Sequence, residues 1–98
     1  MSRGLRIAPA AARDIVDAYN WYEDQQPGLG EQFRAELHVA FALVQQFSEA
    51  GPAVHLDLRR LLVRRFPYAL YYRFTDTDVI IRGCLHLHSN PSRWRRRA

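Results

Sequence analysis

The stretch from Tyr68 to His88, YALYYRFTDTDVIIRGCLHLH, contains two runs of strand-forming residues on either side of a short polar segment. A two-residue turn at Asp76-Thr77 predicts a β-hairpin in which each residue of one strand has a fixed partner on the other. The predicted pairs on one face are apolar or contain glycine: Phe74 with Val79, Tyr72 with Ile81, Leu70 with Gly83, and Tyr68 with Leu85. We therefore expect this face of the hairpin to pack against the core.

The opposite face of the predicted hairpin is polar and cationic. It carries Tyr71, Arg73, Ile80, Arg82, Cys84, His86 and His88. The run 59–65 predicts a third strand, with Leu61 and Val63 on the core side. Its other side adds Arg60, Leu62 and Arg64 to the cationic face. A slip of one residue near Pro67 would exchange these two sets.

The segment before this sheet predicts one strand and two helices. Leu5–Ala8 alternates like a strand, and Pro9 suits the first position of a helix. Helical spacing then gives two apolar stripes, one through Ala12, Ile15, Val16, Tyr19 and Tyr22, the other through Phe33, Leu37, Ala40, Phe41, Val44 and Phe47. Pro27–Gly30 predicts the turn between the helices. The expected fold class is α+β: an N-terminal strand and an antiparallel two-helix hairpin packed on one face of a small, mainly antiparallel β-sheet.

The second helix has an apolar stripe wider than one packing partner needs, since Val39, Ala42 and Leu43 extend it. Either another chain covers part of this helix, or the helix lies wedged between its neighbour and the sheet. Trp21-Tyr22 in the first helix is expected to lie in the core.

The chain has 98 residues and a single cysteine, Cys84. This length predicts one domain over residues 1–98, with 89–98 as a basic C-terminal tail. One cysteine forms neither an internal disulfide nor a zinc knuckle, and we expect its thiol to be a small buried apolar group. No apolar run is long enough to cross a bilayer and no signal peptide is visible, so we expect a cytoplasmic protein. We also expect no metal and no cofactor.

All 14 basic residues are arginines, and they are unevenly distributed. Residues 1–50 hold four arginines and seven acidic residues, whereas residues 51–98 hold ten arginines and three acidic residues. This asymmetry favours an anionic partner, either nucleic acid, a ribonucleoprotein or an acidic protein segment. The alternative is a solvated surface without a partner.

The cationic face predicts phosphate binding, because Arg60, Arg64, Arg73 and Arg82 would offer forked donors beside the ring of Tyr71. Arginine does not exchange a proton near neutral pH, so proton transfer would fall to His86 and His88. The histidines could equally hydrogen-bond to the nearby backbone. A zinc site of Cys84 with both histidines is excluded in an extended strand, where the outer two residues lie about 13 Å apart.

The C-terminal segment packs four arginines around Trp94 within Asn90–Arg97. It could bind nucleic acid or an acidic partner, with Trp94 stacking on a base or filling a pocket. Alternatively, Trp94 folds back on the domain while the arginines remain solvated.

Several segments, in this order and spacing, resemble the RelE/ParE superfamily of toxins from type II toxin–antitoxin pairs. They are Asn20–Glu23, Pro27–Phe33, Arg65–Arg73, Leu85-His86 and Pro91–Trp94. The helix turn and the Phe-Pro-Tyr segment are most similar to the ParE-like plasmid-stabilisation members. The resemblance implies a growth inhibitor in a hetero-oligomer with a cognate antitoxin. An acidic, amphipathic antitoxin segment would suit the basic half of the chain and the stripe at Val39 and Leu43.

Members of this superfamily differ in their target. ParE-like members poison DNA gyrase, whereas RelE-like members cleave messenger RNA in the ribosome. The chain has no lysine, unlike the RelE-like members that use lysines, and Ser89-Asn90-Pro91 replaces an Arg-Asp-Pro type segment frequent in ParE-like relatives. The resemblance therefore favours a gyrase poison, whose target-binding residues would be Arg60, Arg64, Tyr71, Arg73, Arg82, Arg93 and Trp94.

Two other interpretations of the resemblance stay open. One is an mRNA endoribonuclease that uses His86, His88, Arg73 and Arg82. The other is an inactive module that only binds an antitoxin.

Overall fold

The computed structural model describes residues 2–98. The elements are β1 (Gly4–Ile7), α1 (Pro9–Gln25), α2 (Leu29–Gln46), β2 (Ala53–His55), β3 (Leu58–Leu62), β4 (Tyr68–Phe74), β5 (Asp78–His86) and α3 (Pro91–Arg95). The five strands form one sheet in the order β1-β5-β4-β3-β2. Only β1 pairs in parallel, with β5. The predicted α+β fold class is therefore confirmed.

The two long helices form where the sequence predicts them. Pro9 is the first residue of α1, and Gly28 makes the turn to α2 with a φ of 92°, a conformation that favours glycine. The carboxylate of Glu23 accepts hydrogen bonds from the backbone N–H groups of Gly28, Gly30 and Glu31. A carboxylate at this position satisfies free N–H groups and matches the positive end of the α2 dipole.

The predicted apolar stripe of α1 was right at Ile15 and Tyr22 but wrong at Ala12 and Val16, and that of α2 was right except at its end. The buried residues of α1 are Ala11, Ala18 and Tyr22, whereas Val16 is 55% exposed. Trp21, expected in the core, is also 55% exposed. In α2 the buried face has the predicted residues, Phe33, Leu37, Ala40, Phe41 and Val44. Phe47, assigned to the same face, lies just past the end of the helix and is 58% exposed.

A β-bulge in β5 divides the β4–β5 hairpin into two parts. Next to the turn, Phe74 pairs with Val79 and Tyr72 with Ile81, as predicted. The next pair is Tyr71 with Gly83, so that Arg82 has no partner opposite it. Beyond this extra residue the predicted pairs were wrong, because Leu70 pairs with Cys84 and Tyr68 with His86.

The bulge exchanges the faces of the residues that follow it. Cys84 belongs to the core on the helix side and is 1% exposed, as expected for a buried thiol but not for the cationic face. Leu85, predicted in that core, packs instead on the other side of the sheet with Tyr71. Alternation assigned these faces wrongly because one inserted residue reverses the side-chain pattern of everything after it.

The third and fourth strands hold their predicted register. Leu61 pairs with Leu70 on the helix side, and Val63 is buried in the same core. β3 ends at Leu62, three residues earlier than predicted, and Arg65 takes a left-handed backbone with a φ of 70° in the turn to β4. The segment after Gly51-Pro52, for which no strand was predicted, forms the short edge strand β2.

The C-terminal segment forms α3 and packs against the sheet. Asn90 caps the helix by accepting a hydrogen bond from the backbone N–H of Ser92, and Pro91 occupies the first helical position. The Trp94 ring lies parallel to that of Tyr71, with centroids 5.6 Å apart and an angle of 9°. Of the two possibilities for Trp94, the structure therefore shows the one in which it folds back.

Candidate functional site

The sheet face away from α1 and α2, here called the outer face, has two halves with different surroundings. The covered half lies under α3 and consists of Leu58, Ala69, Tyr71 and Leu85, packed with Val54 and Trp94. The open half consists of Arg6, Arg73, Ile80 and Arg82, which line one groove. The bulge at Arg82 lies where the two halves meet.

The covered half is a second, small apolar core. Leu58 and Ala69 have no exposed surface, and Tyr71 is 2% exposed. The prediction that Tyr71 is displayed on an accessible face was wrong, because the bulge brings Leu85 beside it and Trp94 covers it. Trp94 itself is only half-buried.

A hydrogen-bonded latch holds the end of the chain to the body of the protein. The Arg97 guanidinium contacts both carboxylate oxygens of Asp14, at 2.8 and 3.3 Å. It also donates to the carbonyl of Arg82, and the Nε of Arg82 donates back to the carbonyl of Arg97 at 2.9 Å. The side chains of Asp14 and Arg97 are 9% and 20% exposed. This pair is therefore far better shielded from solvent than an ordinary surface ion pair.

The latch forms where β5 has an uncovered edge. β1 ends at Ile7, opposite Ile81, so it does not cover the later residues of β5. There the Asp14 carboxylate accepts a hydrogen bond from the backbone N–H of Cys84 at 3.1 Å. The Arg97 guanidinium donates a hydrogen bond to the backbone carbonyl of Arg82. Two side chains thus replace the hydrogen bonds of a missing strand, which protects the edge from pairing with other chains.

The open half is a groove of about 350 Å³ beside the β1–α1 connection. Arg6 pairs with Ile80 across β1 and β5, and Arg73 pairs with the same Ile80 across β5 and β4. Arg82 follows two residues after Ile80. Three arginines from three strands therefore line one groove together with Ile80.

Sequence reasoning found Arg73 and Arg82 but missed Arg6. The N-terminal strand was predicted, but not its partner. Its alternation indicates that Arg6 and Gly4 lie on the face opposite Leu5, which packs in the large core. Only the pairing of β1 with the last strand brings Arg6 next to the other two arginines.

The other arginines that were predicted to bind the target lie outside this groove. Arg60 is half-buried beside Tyr71, and Arg64 is exposed after the end of β3. Arg93 is exposed on α3 and lines a separate cleft with His86.

The structure does not bring the candidate nuclease residues together. His86 pairs with Tyr68 and packs edge-on against its ring at 5.3 Å, on the helix side of the sheet. Arg73 and Arg82 lie on the outer face. His88 is outside β5, and its backbone N–H donates to Nδ1 of His86 at 3.0 Å. The bulge again explains the difference, since without it His86 and Arg82 would share a face.

His86 contributes to a cleft of about 330 Å³ between α1, the end of β5 and α3. The cleft is lined by residues of mixed charge, among them Asp14, Asp17, Trp21, Tyr68, His86 and Arg93. Burial raises the pKa of Tyr68 above the ordinary value of tyrosine, which makes its phenolate form less accessible. Within residues 2–98, no three His, Cys, Asp or Glu side chains are grouped so as to hold a metal ion.

The helical layer has an exposed apolar line on α2. Val39, Leu43 and Phe47 follow one another at intervals of four residues and are 55%, 39% and 58% exposed. Val39 and Leu43 are the two residues that the sequence analysis proposed for contact with an antitoxin. In the described part of the chain, neither long helix is apolar enough to span a membrane.

Comparisons with known proteins agree with this architecture. Residues 5–96 match the family model described as the ParE toxin of the type II toxin–antitoxin system parDE. Toxin ParE2 of Mycobacterium tuberculosis, from strains H37Rv and CDC 1551, is 25% identical over 93 residues, which cover 94% of this chain and 89% of that protein. A solved structure of the chromosomal ParDE TA system from P. aeruginosa is similar in fold, with a TM-score of 0.76 and 19% identity over 87% of this chain and 96% of that one.

Proposed function

The chain belongs to the family of ParE toxins of type II toxin–antitoxin systems, and on that premise we propose that it stops bacterial growth by poisoning DNA gyrase until a cognate antitoxin neutralises it. The gyrase target is inferred from the similarity to ParE-like members. The arginines of the outer face, which include Arg73 and Arg82, would contact the target.

One observation supports the gyrase proposal over RNA cleavage. Cleavage by an RNA 2′-hydroxyl needs a group that takes a proton close to groups that stabilise the phosphate. His86 lies on the helix side of the sheet, whereas Arg73 and Arg82 line the groove on the outer face. Because one scissile phosphate cannot contact both faces of the sheet, this geometry favours a protein that binds its target without cutting RNA.

The apolar line on α2 supports the antitoxin part of the proposal. Val39, Leu43 and Phe47 are spaced as anchors for an amphipathic segment that would lie along α2. An acidic segment would also be attracted to the basic half of the chain. Leu43→Asp should therefore weaken co-purification with the antitoxin, whereas His38→Asp, at an exposed position of α2 outside the apolar stripe, serves as a control.

The target is tested by inducing the chain alone in bacterial cells and measuring thymidine and methionine incorporation over the first minutes. A gyrase poison should lower DNA synthesis first. An earlier fall in protein synthesis would contradict the proposal and support RNA cleavage. If neither fell while the chain still bound its antitoxin, the protein would be an inactive antitoxin-binding module.

A further inference from the structure

The open half of the outer face has a geometry suited to phosphate groups. Arg6 and Arg73 flank Ile80 on the two neighbouring strands, so their Cα atoms lie about 10 Å apart. Arg82 lies two residues along β5 from Ile80, at about 6.8 Å in an extended strand. Arginine side chains are long enough to converge over Ile80 from these three positions. Forked guanidinium donors match phosphate oxygens better than any other side chain does.

The charge of this groove is not neutralised within the part of the chain that the structure describes. The ion pairs of residues 2–98 are Arg34 with Glu31 and Arg97 with Asp14. Asp78 also lines the groove, but its carboxylate accepts a hydrogen bond from Thr77 and forms no ion pair with any of the three arginines. The groove therefore has a net positive charge. Its guanidinium groups are available for an anion except at the Nε of Arg82, which donates to the carbonyl of Arg97.

The surroundings favour a polymer of phosphates over a single small anion. Arg82 is fixed against the carbonyl of Arg97, at the end of the C-terminal segment. That segment carries two exposed arginines outside the cleft at His86: Arg95 and Arg96. The positive surface thus continues from the groove onto α3, further than one phosphate group extends. A nucleic-acid backbone, with regularly spaced charges, can contact both regions at once.

We propose that the groove formed by Arg6, Arg73 and Arg82 binds the phosphodiester backbone of duplex DNA. This inference rests on the proposed function, because a gyrase poison acts where gyrase holds duplex DNA. The groove adds contacts to that DNA that do not depend on its sequence, since only phosphate groups meet the arginines.

The test measures fluorescence anisotropy of a labelled, mixed-sequence DNA duplex with the full chain over a range of salt concentrations. Replacing one phosphate-contacting arginine should reduce the slope of log K against log salt by about one and weaken binding at every sequence. We expect this for Arg6→Gln, Arg73→Gln and Arg82→Gln. Arg34→Gln removes the same charge from the exposed surface of α2 and should leave the slope unchanged. Equal losses in all four variants, or no binding by the parent chain, would overturn the proposal.

Single-stranded RNA of the same length provides the second arm. Tighter binding of RNA than of the duplex, with the same dependence on the groove arginines, would overturn the assignment to DNA. A supercoiling assay with purified gyrase separates the two proposals. If the groove variants still inhibited gyrase, the groove would have no part in the inhibition, while gyrase would remain the target. If the chain bound duplex DNA through the groove but did not inhibit gyrase, the proposed function would be wrong and the DNA-binding site would stand.

Discussion

The two halves of the outer face belong to one sheet but differ in whether other residues cover them. In the covered half, α3 supplies Trp94 and the sheet supplies Tyr71, so an apolar surface is hidden from water. In the open half, Arg6 and Arg73 lie on either side of Ile80 and line an open groove. The difference begins at Arg82, where the bulge changes which residues face outward. Stability should therefore depend on the covered half, and binding on the open half.

The largest effect on stability should come from Trp94→Ala. This change removes the ring that covers Tyr71 and leaves an apolar surface exposed to water. Replacing a fully buried tryptophan by alanine costs about 3 to 5 kcal/mol of unfolding free energy, and because Trp94 is half-buried we expect a loss of about 2 to 3 kcal/mol. Trp21→Ala is the matched control, because Trp21 is 55% exposed, and it should cost less than about 1 kcal/mol. Urea denaturation measures both; equal losses would contradict the covered half as a core.

A smaller loss is expected for Asp14→Asn. The neutral amide cannot form an ion pair with Arg97, whose side chain is only 20% exposed. Breaking a fully buried pair costs more, and partial exposure reduces the loss here to about 2 kcal/mol. Asp17→Asn, an exposed position on the same helix, should change the unfolding free energy by less than about 0.5 kcal/mol. A thermal melt of both variants that gave the same Tm would argue against the latch.

The open half should tolerate substitution. Within residues 2–98, Arg6 and Arg73 take part in no ion pair, so Arg6→Gln and Arg73→Gln should each change the unfolding free energy by less than about 0.5 kcal/mol. Denaturation of the single variants, at the same salt concentration as the parent chain, measures this change. A loss as large as that of Trp94→Ala would mean that the groove arginines stabilise the fold.

The smallest signal should come from Cys84, which tests the bulge itself. Burial raises the pKa of its thiol to about 12, so the folded chain should resist alkylation at about pH 8, near the ordinary cysteine pKa. Between the unfolded value of 9.0 and about 12, the unfolded state loses this proton before the folded state does. Unfolding free energy should then fall as pH rises through this range, and fall less in Cys84→Ala. Rapid alkylation of the folded chain would contradict the burial of Cys84 in the core.

Local sequence signals were sufficient for the positions of α1 and α2 and for the turn of the hairpin. Pro9 and Gly28 mark where helices begin and turn, and the pairs nearest Asp76-Thr77 follow from turn length alone. Beyond the bulge, alternation failed because it assumes one residue opposite each partner. Gly83 was the available signal, since glycine inside a strand frequently accompanies a bulge.

The candidate site needed contacts between distant parts of the chain. Arg6 joins the groove only because the first strand pairs with the last, which no local pattern specifies. The helical C-terminal segment did have a local signature, because Asn90-Pro91 combines a capping residue with proline at the first helical position. The contacts of Trp94 with Tyr71 and of Arg97 with Asp14 could not be predicted, because the partners in each pair lie far apart in sequence.

The most direct test of the claim that the open half carries the toxic activity is growth after induction. The parent chain, the Arg73→Gln/Arg82→Gln double variant and the Arg34→Gln control would be induced in bacterial cells without antitoxin, with binding to purified antitoxin as the check of folding. We predict that growth stops with the parent chain and the control but continues with the double variant. A folded double variant that stopped growth as fast as the parent chain would contradict the account.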